Sequence, residues 1–262
     1  MVAGMQKFRA HFRGFDQAFV LIGGVACDAW MSNSALTFRK TKDLDIVLVI
    51  EALDSSFVER FKDFVQAGGY EERQRQQTGT RELYRFFKPK EADYPFMLEL
   101  FSRAPVGIEL RQGQQITPVA TESAVASLSA ILMDDDYYKL VVAARYLSDG
   151  IAMLGAEGLI PLKAKAYLDL QAQKDAGGNV DEADVKKHRN DVFRLALTLS
   201  GRTATELAAS IRNDLKTFLD RFPEGSADWP AIENALRSTL RSIPMPAPSE
   251  LLRTLSTFFR LD

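Results

Sequence analysis

Asp43 and Asp45 open the segment DLDIVLVI at residues 43–50, two carboxylates one residue apart in a run of aliphatic, mostly β-branched side chains. In a strand, positions i and i+2 leave the same face of the sheet, so the two acids would stand side by side. Like charges so placed repel and raise one another's pKa unless a counter-charge answers them. A divalent cation bound through oxygen does this, and magnesium is the natural choice: it takes one or two protein carboxylates and completes its shell with substrate phosphates. The chemistry indicated is metal-assisted handling of a phosphorylated substrate. The bland alternative is a pair of solvated acids at a strand start, with Lys42 beside them as partner.

Gly23-Gly24 adds a second part to this arrangement. Residues 18–22 are a short apolar run and residues 25–31 have helical composition, so the glycines sit in a turn from strand to helix. Without side chains in the way, backbone N–H groups there can approach a phosphate at the positive end of the helix. Glycine pairs alone mark many ordinary turns; the order strand, Gly-Gly, helix, polar link, Asp-x-Asp strand is far more specific. Arg39, Thr41 and Lys42, just before the acids, suit either phosphate contact or a solvated loop. Glu99 lies in PFMLELF, where alternation puts Met97, Glu99 and Phe101 on one face. A glutamate buried alone in so apolar a strand costs several kcal/mol, on the order of the charge-burial penalty, so a metal or an arginine should answer it. Cys27 and Trp30 read as core or as a wall near the turn.

The elements that must position these residues follow from pattern and punctuation. Asp54-Ser55-Ser56 supplies an N-cap for an amphipathic helix over 57–66, ended by Gly68-Gly69. Extended segments are expected at 82–87, 94–101 and 106–110, with 73–80 a polar loop. Residues 127–133 suit a strand or part of a helix. The acids 134–136 suit a helix start, and that helix is expected to run to about residue 147. From residue 156 the pattern is helical: 161–173, with Pro161 accommodated in a first turn, then 184–199, 203–221, 229–240 and 249–259. The expected fold class is α/β (α+β): a mixed sheet flanked by helices over 1–155, then a helical domain over 156–262.

Composition sets limits on function. The 262 residues are 46% hydrophobic, enough for a sizeable core, and 33 basic against 35 acidic residues give no global positive field for nucleic acid. One cysteine, Cys27, excludes an internal disulfide, and two histidines, His11 and His188, with one thiol do not make a Cys/His zinc site. A reducing, cytoplasmic setting fits. Lys7, Arg9 and Arg13 before an apolar stretch imitate a signal peptide, but Asp16 and the glycine pair interrupt it. No apolar run approaches the roughly 20 residues that span a bilayer, so no membrane partner is expected.

The ordered set IGGVACDAW at 22–30, RKTKDLDIVL at 39–48 and LEL at 98–100 resembles the minimal nucleotidyltransferase fold, the superfamily of DNA polymerase β and the antibiotic-modifying nucleotidyltransferases. The resemblance implies that Gly23 and Gly24 hold an incoming nucleoside triphosphate. It implies that Asp43, Asp45 and Glu99 hold two Mg2+ ions, with Mn2+ as a substitute. The family often has Gly-Ser, so Gly24 lacks a hydroxyl contact. Further along, LIPLKAKAYLDL at 159–170 and KKHRNDVFRLA at 186–196 resemble the lysine and terminal aspartate motifs of AbiEii-type proteins, the toxins of type IV toxin–antitoxin systems. This implies nucleotide-contacting or catalytic roles for Lys163 and Asp191. It also implies an acceptor in RNA (tRNA) or protein, and a cognate antitoxin as partner.

By residue type alone, Lys163 would be either a flexible cation reaching across to a triphosphate or a surface lysine like Lys165. Asp191 would be a nucleotide contact or a helical acid paired with Lys187 or Arg194. His188, three residues earlier, reads as structural. Two rivals remain: transfer to a small polycationic acceptor, which a basic cleft around Lys163, Lys186, Lys187 and Arg189 would disfavour, and a nucleotide-binding protein without catalysis. The last sixty residues resemble nothing in particular.

Overall fold

In chain order the sequence folds into α1 (Met5–His11), β1 (Phe19–Ile22), α2 (Gly23–Asn33), β2 (Asp43–Leu48), α3 (Ser55–Gly68), β3 (Glu71–Glu72), β4 (Arg85–Phe87), β5 (Met97–Ser102), β6 (Ile116–Thr121), β7 (Ala124–Leu132), α4 (Asp135–Ala143), β8 (Arg145–Ser148) and β9 (Ile151–Leu154), then α5 (Ala156–Asp175), α6 (Glu182–Ala196), α7 (Ala209–Leu219), α8 (Trp229–Leu240) and α9 (Pro248–Phe259). The computed structural model describes residues 3–72, 84–104, 116–121, 124–240 and 244–261. The segment expected as a loop at 73–80, the strand at 106–110 and the first two residues of the one at 82–87 lie outside the described residues. The molecule is a mixed α/β structure, and the chain divides into two compact units: Met1–Ala29 with Arg39–Leu154, and Trp30–Phe38 with Gly155–Asp262.

In the first unit the strands join one mixed sheet in the order β3-β4-β5-β2-β1-β9-β8, with β7 also on β5 and β6 on β7. The apolar runs of β1 and of β2 from Ile46 onward take its centre, buried on both faces, while β2 begins with the half-buried Asp43 and Asp45. They pair antiparallel, while β2 runs parallel to β5 and β1 parallel to β9. One face is covered by α1 and α3. Phe8, Phe12 and Phe57 from that layer meet Phe19 of β1 and Phe61 meets Phe86 of β4, while Phe64 packs on Phe8 and Phe12; ring centroids are 4.5 Å apart for Phe8–Phe12 and 5.5 Å for Phe61–Phe86. Each such ring buries roughly 150–250 Å² and dominates the packing energy. Lys7 and Arg9, which imitate a signal-peptide charge cluster, sit on α1 and pair with Asp93 and Asp149. Residues 127–133, open to two readings, lie largely in β7.

Three expectations are corrected. The helix after Asp134 ends at Ala143, not near 147, because residues 145–154 form the β8–β9 hairpin. Its turn residues Asp149 (φ 50) and Gly150 (φ 78) both have positive φ, the signature of a tight hairpin turn whose twist matches the strands. Pro161 is not in a first turn. The helix α5 begins at Ala156, so Pro161 sits inside it and removes one N–H from the ladder. The helix expected from 203 begins only at Ala209, since Gly201 takes φ 73 and the Thr205 N–H donates to the Phe258 carbonyl (2.8 Å), which holds the segment extended.

The second unit packs α5 to α8 around Phe193, Phe218, Phe222, Trp229 and Tyr167, with α9 against α6. Trp30 belongs to this unit: its indole N–H donates to Thr198 Oγ1 (2.9 Å) and the Arg202 guanidinium lies 4.3 Å from its ring centroid. Among the described residues no helix is long and apolar enough to cross a membrane.

Candidate active site

The alternation of β2 and β5 sorts their side chains by face. Leu44, Ile46, Leu98 and Leu100 are fully buried, while Asp43, Asp45 and Glu99 are half-buried on the opposite face from the phenylalanine layer. Register then aligns them. Asp45 is opposite Glu99 on β5 and opposite Ile22 on β1, and Glu99 is opposite Arg85 on β4. Residues paired across a sheet share a face, so Arg85, Glu99, Asp45 and Ile22 form one row across four strands, with Asp43 one step along β2 on the same side.

Arg85 is the partner of Glu99: its Nε donates to Oε1 at 2.6 Å and its Nη2 reaches the same oxygen. Of the two answers expected for a glutamate in this strand, the structure supplies the arginine. Sequence reasoning missed Arg85. Its only signal was a basic residue in an extended segment upstream, which does not reveal which strand it pairs with.

Gly23 follows Ile22 directly, with φ 64, and opens α2. A Cβ built there would lie 1.7 Å from Asp45 Oδ2, so the carboxylate rests against the glycine backbone at the first turn of the helix. Unpaired N–H groups and the helix dipole favour negative charge at that point. At Gly24 a Cβ would come within 2.6 Å of the Thr41 hydroxyl, so Thr41 fills the space a side chain at 24 would need. The turn therefore requires both glycines by close approach, and the first also by conformation. Of the other cations before the acids, Lys42 lies over the Phe96 ring with Nζ 4.1 Å from the centroid, and Arg39 is half-buried.

Among the described residues no three His, Cys, Asp or Glu side chains are gathered closely enough to hold a metal ion. The pair Asp43 and Asp45 nonetheless fits a hard divalent cation by donor chemistry, since magnesium needs only one or two protein carboxylates. Glu99 has one oxygen committed to Arg85.

In the second unit the structure brings Lys163 and Asp191 together. Asp191 is fully buried on α6, Lys163 on α5 is 6% exposed, and Lys163 Nζ lies 3.7 Å from Asp191 Oδ2. Arg194 donates to the other oxygen at 3.0 Å, the i+3 pairing that helical spacing allows. Lys163 is thus neither a flexible arm nor a surface lysine; Lys165, paired with exposed Asp169, is the surface residue. The four cations expected to make a basic cleft are each opposed by an acid: Lys163 by Asp191, Lys186 by Glu182, Lys187 by Asp184 and Arg189 by Asp228. Asp191 is shared with Arg194 and Glu182 with Lys174, so these pairings soften the positive charge around the four cations without cancelling it. Cys27 and Trp30 are buried, as core.

Comparison with family models, with curated proteins and with solved structures gives no match for this chain.

Proposed function

We propose that this chain is a metal-dependent nucleotidyltransferase that moves a nucleoside monophosphate from a nucleoside triphosphate to a hydroxyl acceptor. In the reaction the acceptor oxygen bonds to the α-phosphorus, the bond from that phosphorus to the bridging oxygen breaks, and pyrophosphate leaves. The hydroxyl proton passes to a carboxylate of the Asp43, Asp45 and Glu99 row. The observation that supports this best is the row itself: two strands place Asp45 opposite Glu99 with Asp43 on the same face, and the Asp45 carboxylate lies against the glycine turn that opens α2.

Asp43 and Asp45 would hold Mg2+ (or Mn2+), with Glu99 joining as a third oxygen donor once its side chain swings off Arg85, and the ion when bound supplies charge neutralisation for the phosphates and lowers the pKa of the attacking hydroxyl. The protein's own contribution is positioning. The backbone N–H groups of the Gly23-Gly24 turn bind phosphate once the Asp45 side chain rotates off Gly23, and the Thr41 hydroxyl stands beside Gly24 as a further donor. Arg39 and Lys42 add positive charge to the approach. Lys163 and Asp191, carried over by resemblance as nucleotide contacts, are read as a buried positioning pair.

On the AbiEii-type reading the acceptor is an RNA end, as in tRNA, or a protein hydroxyl, the setting is cytoplasmic and a cognate antitoxin is the partner. A second reading, a nucleotide-binding protein without turnover, draws on the Arg85 bond to Glu99. The experiment is incubation of the purified protein with each labelled nucleoside triphosphate, Mg2+ and total cellular RNA and protein, beside Asp45→Asn. Label transferred by the wild type and lost in the variant, together with loss of any growth inhibition, is the expected result. Equal transfer by the variant would sink the role of Asp45, and nucleotide binding by calorimetry without transfer would select the second reading.

A further inference from the structure

The second unit has a pocket of about 260 Å³ between the segment that follows α6 and the exposed side of α9, lined among others by Ser200, Arg202, Arg253, Thr254 and Thr257. Its lining includes two arginines and three hydroxyl residues, with no Asp or Glu among them. Arg202 is held in place before any ligand arrives. Its Nε donates to the Thr198 carbonyl (2.9 Å) and its guanidinium stacks on Trp30, whose own N–H is fixed by the Thr198 hydroxyl. A stacked arginine of this kind loses little freedom on binding and keeps its terminal nitrogens for planar recognition of an oxyanion. Arg253 is exposed and has no ion pair or hydrogen bond among the described residues. Gly201, between Ser200 and Arg202, has open space where its side chain would be, so the backbone is bare on that side.

Ser200 and Thr254 also line a second, larger chamber of about 410 Å³, so the two spaces adjoin. Its walls are mixed: Leu36, Leu240, Pro244, Pro246 and Leu251 stand beside Glu250 and the hydroxyls of Ser34, Thr198, Ser200 and Thr254. An acyl chain would leave Glu250 and the hydroxyls without use, and a sugar phosphate would leave the leucines and prolines uncovered. A flat, partly apolar body with N–H or O–H donors satisfies both.

We propose that these joined pockets are a binding site for a nucleoside monophosphate, with the phosphate between Arg202 and Arg253 and the nucleoside in the larger chamber. The site needs no metal, in contrast to the glycine turn of the first unit, and stands independently of the transferase reading. The test is calorimetric titration of the full chain in EDTA with AMP, adenosine and inorganic phosphate, beside Arg253→Ala and Arg202→Lys, with thermal melts to verify folding. AMP should bind more tightly than either fragment. Arg253→Ala, at an exposed position, should weaken AMP by about tenfold, the scale of one charged hydrogen-bonding group, and Arg202→Lys should weaken it while keeping the charge. Absence of AMP binding to folded wild type at millimolar concentration would overturn the site, as would equal binding by both variants. Adenosine binding as tightly as AMP would overturn the phosphate assignment, and phosphate binding as tightly as AMP would overturn the nucleoside chamber. Failure of metal-dependent transfer leaves each of these outcomes readable.

Discussion

A methyl group at position 23 meets two separate obstacles. The left-handed backbone there (φ 64) costs an alanine about 1–2 kcal/mol relative to glycine. The added Cβ would also fall 1.7 Å from Asp45 Oδ2, so the carboxylate must move. Gly23→Ala is therefore expected to lower the melting temperature by several degrees and to reduce transferase activity far more than that loss of stability explains, as read from initial rates at a temperature where the variant stays folded. A variant with full activity would remove the turn from the site. At Gly24 the obstacle is different, since the nearest atoms belong to the Thr41 side chain and φ is not left-handed there. The acids and the glycines were legible in the sequence because strand alternation and turn chemistry are local rules. The partner of Glu99 was not: Arg85 is fourteen residues away, and only the β4–β5 register decides that the two meet. Lys163 and Asp191 show the same limit. Each stood out by motif, and the Arg194 pairing followed from helical spacing, but their mutual ion pair depends on how α5 packs on α6.

Single elements were most legible where both ends are marked. For α3, Asp54 caps the N-terminus by accepting from the Phe57 N–H (2.8 Å) and from the Ser56 hydroxyl, and Gly69 ends it in the left-handed conformation. The Phe57 N–H first, then Ser56, hold the Asp54 carboxyl below its usual pKa of 3.8. A folded-state pKa that is lowered stabilises the protein above the unfolded value, and this contribution is lost as pH falls through the lower folded value. Asp54→Ala should thus melt at a lower temperature than wild type near pH 7, and the gap should close as pH drops below about 3.8. A gap independent of pH would mean that the carboxylate charge plays no part in the cap. The β8–β9 hairpin was equally marked, by Asp149-Gly150, yet the apolar pattern after Asp135 fits a helix so well that it masks the strand beginning at Arg145. Pro161 misled for a related reason. Proline reads as a helix start, whereas here Gly155 begins the helix earlier and the fully buried neighbours Leu159 and Ile160 hold the interrupted turn in place.

For the whole molecule, the change of pattern near residue 155 marks where the helical segment begins, but it hides the short stretch Trp30–Phe38, which clusters with the second unit. No local rule assigns those nine residues across more than a hundred positions of chain; the assignment comes from long-range contacts such as Trp30 with Thr198, 168 residues apart. Trp30 is 7% exposed, donates its N–H to Thr198 and underlies Arg202, so it joins three functions in one side chain: apolar burial, a buried hydrogen bond and a stacking platform. Removing a buried tryptophan costs about 3–5 kcal/mol, with the arginine stack adding roughly 0.5–1 kcal/mol. Trp30→Ala should therefore loosen the second unit selectively. In hydrogen exchange, the amides at the end of α6, in 198–205 and in α9 should exchange faster, while those of β1, β2 and β5 keep their wild-type protection. The Thr205 N–H, bonded to the Phe258 carbonyl, is a sensitive reporter because it lies on the extended segment between α6 and α7. Equal acceleration in the sheet and in the helices would mean that the two units unfold as one. Unchanged exchange throughout would mean that Trp30 contributes nothing to the stability of the unit it joins.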